Sequence, residues 1–400
     1  MKVLYDYQAF QMQKVGGVSN CFVELIAHLP RSVDWTIGLK ESNNVHLREK
    51  GLLPNILNES LNGDNFLMKK HFLGKGTIFK CLNENFGCFP SSEHINKKYS
   101  VELLEKQDFD LFHPTFFDPY FLDYLGAKPF ILTVHDFITD KFDNSNDIQT
   151  QRRKFLASKA SHLIAVSEKT KQDAIEILQI PSDKISVIYH GVSVPESVQL
   201  KILIKGDYFL FVGKRDGYKN FRSMVKAMAP FLQSHRDYKL VCTAGNFNKE
   251  ECALFDEYKI KDQIIHVFAS YNELLSLYKY AKAFIYPSLY EGFGIPILEA
   301  YAMQCPVLLS DESCFPEIAG DAALYFKLNH HENTLTALLE EFSNMSTETI
   351  MELIKKQDKQ LKKYSWEKSA IQLAELYQVV IDECKKIRNN YAHKNNKVHL

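Results

Sequence analysis

Short apolar runs alternate with longer segments of helical periodicity along most of the chain. The runs that we interpret as buried strands are 2–7, 109–113, 130–136, 162–166 and 185–191, followed by 208–213, 239–245, 264–268, 283–287 and 306–310. Amphipathic segments lie between these runs, for example 17–29 and 167–178, and Ser167 is suited to cap the N-terminus of the second. The alternation predicts an α/β fold in which doubly wound parallel sheets carry helices on both faces.

The strand-helix pattern restarts after an extended, Pro-containing segment, 192–206. A chain of 400 residues is also long for one hydrophobic core. We therefore predict one domain over 1–198, a second over 199–365, and a C-terminal helix with a polar tail over 366–400. Parallel sheets of this kind bind ligands at the carboxyl ends of their strands, so the residues that follow each strand are candidates for a site.

Composition and charge narrow the function classes. Apolar residues make up 46% and charged residues 24%, which is typical of a folded protein with a sizeable core. The net charge of -1 argues against a general nucleic-acid-binding protein. The eight cysteines form no C-x-x-C pair, which favours reduced thiols in a cytoplasmic protein over a disulfide framework. Asp6 interrupts the first apolar run, so we expect no signal peptide, and we expect no membrane span.

Two glycines open the helix that follows the first strand. Gly16 and Gly17 allow a backbone to approach an anion closely, and the free N–H groups at a helix start attract negative charge. The alternative is an ordinary tight turn. The segment lacks the G-x-G-x-x-G pattern, so a nicotinamide site is disfavoured.

A basic loop follows the first strand of the second predicted domain. In "FLFVGKRDGYKNF" the strand ends at Gly213, and Lys214, Arg215 and Lys219 come next. Cations at a helix N-terminus oppose the helix dipole, so three of them indicate that this loop holds an anion. The alternative is a solvated basic loop.

The segment "YPSLYEGFGIPILEA" places one carboxylate in a turn and another in a helix. Glu291 lies in the turn after a strand, Pro296 fits the first helical turn, and Glu299 follows within the helix. Carboxylates in these places can accept hydrogen bonds from sugar and ribose hydroxyls, beside the backbone N–H groups of Phe293 and Gly294. The alternative is that Glu291 only complements the helix dipole and Glu299 is an ordinary surface residue.

Two histidines follow strands in the first predicted domain. His135 and Asp136 form the polar end of the run 130–136, directly after its apolar residues. His113 lies in the aromatic-rich segment 110–122. A histidine in such a place usually satisfies a local hydrogen bond. His113 either lines an acceptor site or belongs to the core.

These motifs together resemble one known family, the retaining glycosyltransferases of the GT-B fold, family 4. The segments that carry the resemblance are "GGVS", "FHPTFFDPYFL", "TVHD", "AVSEKTKQD", "VIYHGV", "VGKRDGYKNF", "PSLYEGFGIPILEA" and "SDESCFPEIAGDAALYF". The most specific is E-x7-E, formed by Glu291 and Glu299 around EGFG. The resemblance implies two Rossmann-like domains facing across a cleft, the first for the acceptor and the second for the donor, with the final helix crossing back onto the first.

The resemblance also implies a role for each candidate residue. Arg215 and Lys219 would hold the diphosphate of a nucleotide-sugar, Glu291 would contact the sugar hydroxyls, and His135 would approach the sugar. Glu299 would bind the ribose, and Gly16 and Gly17 would supply backbone donors from the first domain. The remaining residues of the expected substrate-binding set are Gly213, Lys214, Phe293, Gly294 and Ile295.

Two departures from the family pattern bear on these expectations. Many relatives have Arg immediately before the lysine, where this chain has Tyr218, so the role of that cation falls on Arg215 or Lys214 and the sequence does not separate them. A glycine commonly ends the E-x7-E helix, where this chain has Gln304. If that position is left-handed, glutamine lowers the free energy of unfolding by about 1 kcal/mol relative to glycine.

The resemblance leads us to expect transfer of a hexose, with GDP-mannose as the first choice of donor, to a growing glycan of O-antigen, lipopolysaccharide or another envelope polysaccharide. No D-x-D pair stands at a strand end, so we expect no metal and no cofactor beyond the nucleotide-sugar co-substrate. The alternatives are a UDP-sugar-dependent transferase of the same fold and a non-catalytic carbohydrate-binding protein. An epimerase or a phosphorylase of similar fold is disfavoured, since no lysine motif for pyridoxal phosphate is evident.

Lysines and aromatic residues interleave in segment 65–83, which contains no Asp or Glu. This pattern suits an anionic membrane surface, and it suggests peripheral contact with the inner membrane and a lipid-linked acceptor. The alternative is an acceptor loop that touches no membrane.

Overall fold

The structure is a computed structural model, and it describes residues 1–53, 74–75, 77–78, 81–82, 91–142, 147–195, 199–215, 217–328 and 332–397. Most of segment 65–83 lies outside these residues, so the membrane hypothesis stays a prediction. The proposed boundary between residues 198 and 199 adjoins the undescribed residues 196–198, and it too stays a prediction.

Parallel strands form the centre of both halves of the chain. The described strands are β1 Lys2–Tyr5, β2 Asp34–Ile37, β3 Leu111–His113, β4 Ile131–Val134, β5 His162–Ala165, β6 Ile185–Val187, β7 Tyr208–Phe211, β8 Lys239–Cys242, β9 Ile264–His266, β10 Ala283–Tyr286, β11 Val307–Ser310 and β12 Leu324–Phe326. Every pairing between named strands is parallel. The prediction of parallel sheets is therefore confirmed.

Helices connect most of these strands and cover the sheets. The described α-helices are α1 Gln8–Met12, α2 Gly17–Ala27, α3 Val45–Glu49, α4 Ser92–Lys106, α5 Ile138–Phe142, α6 Ile148–Lys159, α7 Glu168–Leu178, α8 Phe221–Ser234, α9 Lys249–Glu257, α10 Tyr271–Tyr280, α11 Ile295–Ala302, α12 Phe315–Ala319, α13 Leu335–Ser343, α14 Thr347–Leu361 and α15 Trp366–Lys397. Among the described residues, no helix is both long enough and apolar enough to cross a bilayer. The Ser167 hydroxyl accepts a hydrogen bond from the Thr170 N–H at 3.0 Å, which confirms the predicted cap of α7.

The order of the strands decides where a ligand can bind. The second sheet has the order β12-β11-β10-β7-β8-β9, which is the doubly wound order of dinucleotide-binding domains. All six strands are parallel, but the order in which successive strands join the sheet reverses between β7 and β10, so the loops after these two strands form a crevice. In the first domain, β2-β1-β3 and β4-β5-β6 are linked by a parallel bridge between Phe112 and Phe130.

Two strands, β2 and β12, were not predicted from the apolar pattern. Each lies at the outer edge of a sheet, and each has partly exposed residues rather than a continuous buried run. Because edge strands contact a partner on one side only, their sequences carry a weaker apolar signal than central strands do.

The long helix α15 packs against the first domain rather than the second. Leu373, Val380 and Ile381 are buried in the first domain's core. The Tyr377 hydroxyl lies 2.7 Å from the Tyr5 hydroxyl and 2.6 Å from His113 Nδ1. His113 is fully buried, and burial lowers its pKa to about 3, so it is a neutral core residue that fastens this helix.

Gln304, the second residue after the end of α11 at Ala302, has φ = 57° and is therefore left-handed, so the condition for the glutamine penalty is met. We expect Gln304→Gly to raise the free energy of unfolding by about 1 kcal/mol, because glycine carries no Cβ penalty there. Its side chain also accepts a bond from Lys279 at 2.9 Å, but that contact is exposed and contributes little. Urea-induced unfolding monitored by circular dichroism measures the difference.

Lys362→Gly is the matched control, since Lys362 ends α14 with φ = -61°. Glycine there relieves no strain, so this variant should gain no stability. If Gln304→Gly is destabilised as much as Lys362→Gly, glutamine at position 304 does not carry the expected backbone penalty.

Candidate active site

An ion pair lies at the crevice between β7 and β10. Lys219 ends a short 3₁₀ turn after β7, and Glu291 lies in the turn after β10. Lys219 Nζ is 2.6 Å from Glu291 Oε1, and the two side chains are only 14% and 10% exposed. Limited access of water strengthens the attraction between the two charges and makes loss of either partner costly. The Leu289 N–H donates to the Tyr218 carbonyl at 2.8 Å, which holds the two loops together.

The turn that carries Glu291 is fixed from several sides. The Glu291 N–H donates to Ser313 Oγ at 3.1 Å, and the Ser313 hydroxyl donates to the Glu291 carbonyl at 2.8 Å. Gly294 takes φ = 93°, a backbone conformation that glycine adopts without strain, and Ile295 then begins α11. The Phe293 ring is buried and meets the His190 ring edge-on at a centroid distance of 4.9 Å. Phe293 thus anchors the turn through its side chain.

Arg215 is held by the loop that follows β8. Its Nε donates to Glu251 Oε1 at 2.7 Å, and its terminal nitrogens donate to the carbonyls of Thr243, Gly245 and Asn246 at 3.0, 2.6 and 2.7 Å. These bonds occupy most of the donors of a guanidinium. The role of Arg215 on a diphosphate stays a prediction.

The other basic candidate in this loop is differently placed. Lys214 is exposed and makes no hydrogen bond or ion pair with described residues, so its ammonium can reach an incoming anion. Gly213 precedes it with φ = 112°, and its N–H donates to Thr243 Oγ1 at 3.3 Å.

Glu299 lies half-buried on α11 between two tyrosines of α10. Its Oε2 accepts a hydrogen bond from the Tyr278 hydroxyl at 3.3 Å, while the neighbouring Tyr271 hydroxyl donates to the Ser193 carbonyl at 3.0 Å. Burial raises the pKa of Glu299 to about 7, although the two nearby tyrosine hydroxyls favour the ionised form. This environment differs from that of an ordinary surface carboxylate.

The candidate anion site of the first domain begins at α2. Gly16 precedes the helix, and the Gln13 side-chain carbonyl accepts from the Ser19 N–H at 2.9 Å. A Cβ at Gly16 would overlap the Gln13 side chain, whereas one at Gly17 would meet nothing within 4 Å. A side chain at position 16 would displace the flexible Gln13 side chain and its bond to Ser19, whereas Gly17 leaves the helix start accessible.

The His135 backbone contacts the second domain directly after β4, while its ring lies against Phe22 and His190 of the first domain. Its Nε2 is buried and has no hydrogen-bond partner among the described residues. Burial lowers the pKa of His135 to about 4, so the ring is neutral at neutral pH. A Cβ at Gly292 would overlap the carbonyl oxygen of His135, so the two domains touch through backbone at this point.

Hydrogen bonds hold that contact in place. The hydroxyls of Ser167 and Thr170 donate to the Gly292 carbonyl at 2.6 and 3.1 Å. The Tyr290 hydroxyl donates to Asp173 Oδ2 at 2.6 Å. The turn that carries Glu291 is therefore bound to α7 of the first domain on both sides.

Glu317 adds a further bridge between the domains, because its two carboxylate oxygens accept from the Glu168 and Lys169 N–H groups at 2.7 and 3.1 Å. The sequence does not predict these contacts, because it indicates Ser167 only as a helix cap and gives Gly292 no role. The sequence signal for these contacts is the Gly-x-Gly pair of Gly292 and Gly294, because a glycine next to a strand often marks a close approach of another backbone.

Two family models match the chain. "Glycosyltransferase Family 4" matches residues 15–195, and "Glycosyl transferases group 1" matches residues 196–365. O-antigen chain mannosyltransferase RfbU of Salmonella typhimurium is 32% identical over 212 residues, which are 52% of this chain and 59% of that protein. The match therefore spans less than two-thirds of that relative. O-antigen chain mannosyltransferase B of Escherichia coli is 25% identical over 305 residues, or 71% of this chain and 78% of that one.

Solved structures resemble the whole architecture. A glycosyltransferase from Rickettsia africae superposes with a TM-score of 0.67 at 19% identity, covering 95% of this chain and 98% of that one. Anabaena HepE in complex with UDP-glucose superposes with a TM-score of 0.68 at 13% identity, covering 95% of this chain and 100% of that one. At these identities the likeness shows the fold, which is the predicted GT-B arrangement.

The close approach at Gly292 leads to a prediction. Gly292→Ala should lower kcat/KM for the sugar transfer expected of this family about 100-fold, because the added methyl must displace the His135 carbonyl and a shift of about 1 Å near reacting groups has an effect of this size. Steady-state kinetics on the folded variant measures it.

Gly245→Ala is the control, since a Cβ at that glycine would meet nothing within 4 Å. It should leave kcat/KM within about twofold, in the range of surface substitutions. Unchanged kinetics in Gly292→Ala would mean that the contact with His135 is unimportant for transfer.

The raised pKa of Glu299 predicts a dependence of stability on pH. Folding favours the protonated form of Glu299. Its contribution to the free energy of unfolding is therefore fully present below pH 4.5 and is lost as the pH rises through about 7. A shift of this size is worth at most about 3 kcal/mol, and partial exposure reduces it to about 1–2 kcal/mol. Between pH 4 and pH 8 the wild type should lose that amount relative to Glu299→Gln in urea unfolding.

The difference between the two proteins removes the contributions of all other titrating groups. Glu352→Gln, at an exposed position of α14, should instead follow the wild type across this pH range. Parallel pH curves for the wild type and Glu299→Gln would contradict the raised pKa.

Proposed function

The chain belongs to the GT-B glycosyltransferases, and we propose that it transfers a hexose from a nucleotide-sugar to a growing envelope glycan. The observation that carries the proposal is the Lys219–Glu291 pair at the topological switch point, where this class of sheet binds nucleotides. A buried pair at such a place supplies a cation for phosphate and a carboxylate for sugar hydroxyls.

Lys219 would act on the leaving group. An ammonium has three donors, and Glu291 and the Tyr286 hydroxyl, at 2.6 and 3.4 Å, occupy two of them. The third is available to a diphosphate. Cleavage of the glycosidic bond increases the negative charge on that diphosphate, so a fixed cation stabilises the transition state more than the bound substrate. Lys214 is better placed than Arg215 to add a second cation, because its ammonium has no partner among described residues.

Glu291 and Glu299 would orient the donor. Glu291 would accept from sugar hydroxyls, and the ionised form of Glu299 would accept from the ribose. A neutral His135 in contact with the Glu291 turn would border the sugar from the first domain. The sugar would then lie between the domains, where closure at Gly292 excludes water.

The names of the relatives support the choice of donor. RfbU and the E. coli protein are both named O-antigen chain mannosyltransferases, so we propose mannose from GDP-mannose and an acceptor in O-antigen or a related polysaccharide. We further propose retention of the anomeric configuration, with the leaving phosphate helping to deprotonate the acceptor on the same face. Within the described residues no D-x-D pair follows the carboxyl end of a strand, and we propose that side-chain cations and N–H groups neutralise the diphosphate without a metal.

Removal of the cation at 219 tests this proposal. We expect Lys219→Ala to lower the rate of mannosyl transfer from GDP-mannose about 100- to 1,000-fold, which corresponds to about 3–4 kcal/mol of lost transition-state stabilisation. The assay measures transfer to a lipid-linked or free oligosaccharide acceptor in the presence of EDTA, with UDP- and other GDP-sugars run in parallel.

Lys226→Ala, at an exposed position of the following helix, controls for loss of a lysine and should keep its activity. The double variant Lys219→Ala/Glu291→Gln separates loss of the cation from the effect of an unpaired buried carboxylate. Near-normal turnover in Lys219→Ala would refute the assignment. A folded wild type that uses none of the sugars would favour a carbohydrate-binding protein without catalysis.

A further inference from the structure

Three potential metal ligands converge inside the first domain. Cys21 lies on α2, His135 follows β4, and His190 follows β6. One ligand atom of each lies within 4.8 Å of the other two, and Cys21 Sγ is 3.4 Å from His190 Nδ1. The three residues come from separate segments of a single domain, so their arrangement does not depend on how the two domains close.

Burial affects how each of the three groups would meet a metal. It raises the pKa of the Cys21 thiol, so a bound cation must displace the thiol proton. Cys21 and His190 are only 1% and 6% exposed, so water competes poorly for them. Burial lowers the pKa of both His135 and His190, which keeps the imidazoles neutral and their lone pairs available. His135 Nε2 is buried without a hydrogen-bond partner among the described residues. An unpaired buried nitrogen is costly, and a bound cation would satisfy it.

We propose that Cys21, His135 and His190 form a binding site for a thiophilic divalent cation of the Zn²⁺ type. Tetrahedral zinc with a thiolate and an imidazole places sulfur and nitrogen about 3.5 Å apart, close to the spacing between Cys21 and His190. Two imidazoles and one thiolate are a ligand set that zinc accepts, with a water in the fourth position. Binding converts the thiol to a thiolate and releases one proton to solvent.

Occupation of this site would inhibit the enzyme. Coordination takes the His135 ring away from the sugar, and its backbone also contacts Gly292 in the second domain. The cation therefore acts against transfer and is distinct from any metal that would hold a diphosphate. The inhibition rests on the proposed function, but binding of the cation does not.

Cobalt substitution tests the binding directly. Addition of Co²⁺ to the metal-free, reduced protein should produce a thiolate-to-cobalt charge-transfer band, and one equivalent of Zn²⁺ should abolish that band. Cys21→Ser should lose the band, and His190→Gln should weaken zinc affinity at least about 100-fold, since loss of an outer partner alone weakens affinity about 10- to 100-fold. Isothermal titration with a competing chelator measures the affinities.

Cys252→Ser removes a partly exposed thiol elsewhere and serves as the control for adventitious binding. It should keep the wild-type spectrum and affinity. A band that persists in Cys21→Ser, or zinc binding that is equally weakened in Cys252→Ser, would overturn the proposal.

Transfer assays supply an independent readout. Zn²⁺ should inhibit the wild type reversibly, with recovery on addition of chelator, and the activity that Cys21→Ser retains should be insensitive to Zn²⁺. Cobalt binding without any transfer activity in the wild type would refute the proposed function and leave the metal site standing. Transfer activity without a cobalt band would refute the metal site and leave the proposed function standing.

Discussion

The Lys219–Glu291 ion pair is the interaction on which the rest of the site depends. The strand order places β7 beside β10, and this neighbourhood brings the loops after the two strands into one crevice. The ammonium and the carboxylate meet there at 2.6 Å with little access to water. Each charge offsets part of the desolvation cost of the other, so the site keeps a cation beside the crevice for an anionic ligand. The strand order thus determines where the two charges meet, and their attraction holds the two loops together at that place.

Backbone contact between the domains gives this pair a second set of neighbours. Gly292 follows Glu291 and lies against the His135 carbonyl, while the hydroxyls of Ser167 and Thr170 hold its own carbonyl. A movement of the first domain relative to the second would therefore either break these contacts or move the turn that carries Glu291. A residue larger than glycine would separate the candidate donor site from His135.

Burial sets the chemical state of the histidines and of Glu299. His113 and His135 are neutral because an imidazolium would lose its hydration inside the first domain. In His113 both ring nitrogens have partners and the residue fastens α15, whereas His135 Nε2 has none among the described residues. The same residue type thus serves packing in one place and remains available for chemistry or a metal in the other. Glu299 titrates near neutrality for the same physical reason.

The sequence by itself determined the alternation of strands and helices, the parallel sheets, the Ser167 cap and the family, because these features depend on local periodicity and on residues close together in the chain. It missed the edge strands β2 and β12, whose burial on one side leaves a weak pattern. Only the tertiary structure decided that Arg215 braces the loop after β8, that Gly292 meets His135, and that Cys21 and His190 lie side by side. An apolar pattern encodes that a residue is buried but not which distant residue it contacts. Those partners, and the pKa values that follow from them, arise only when separate segments pack together.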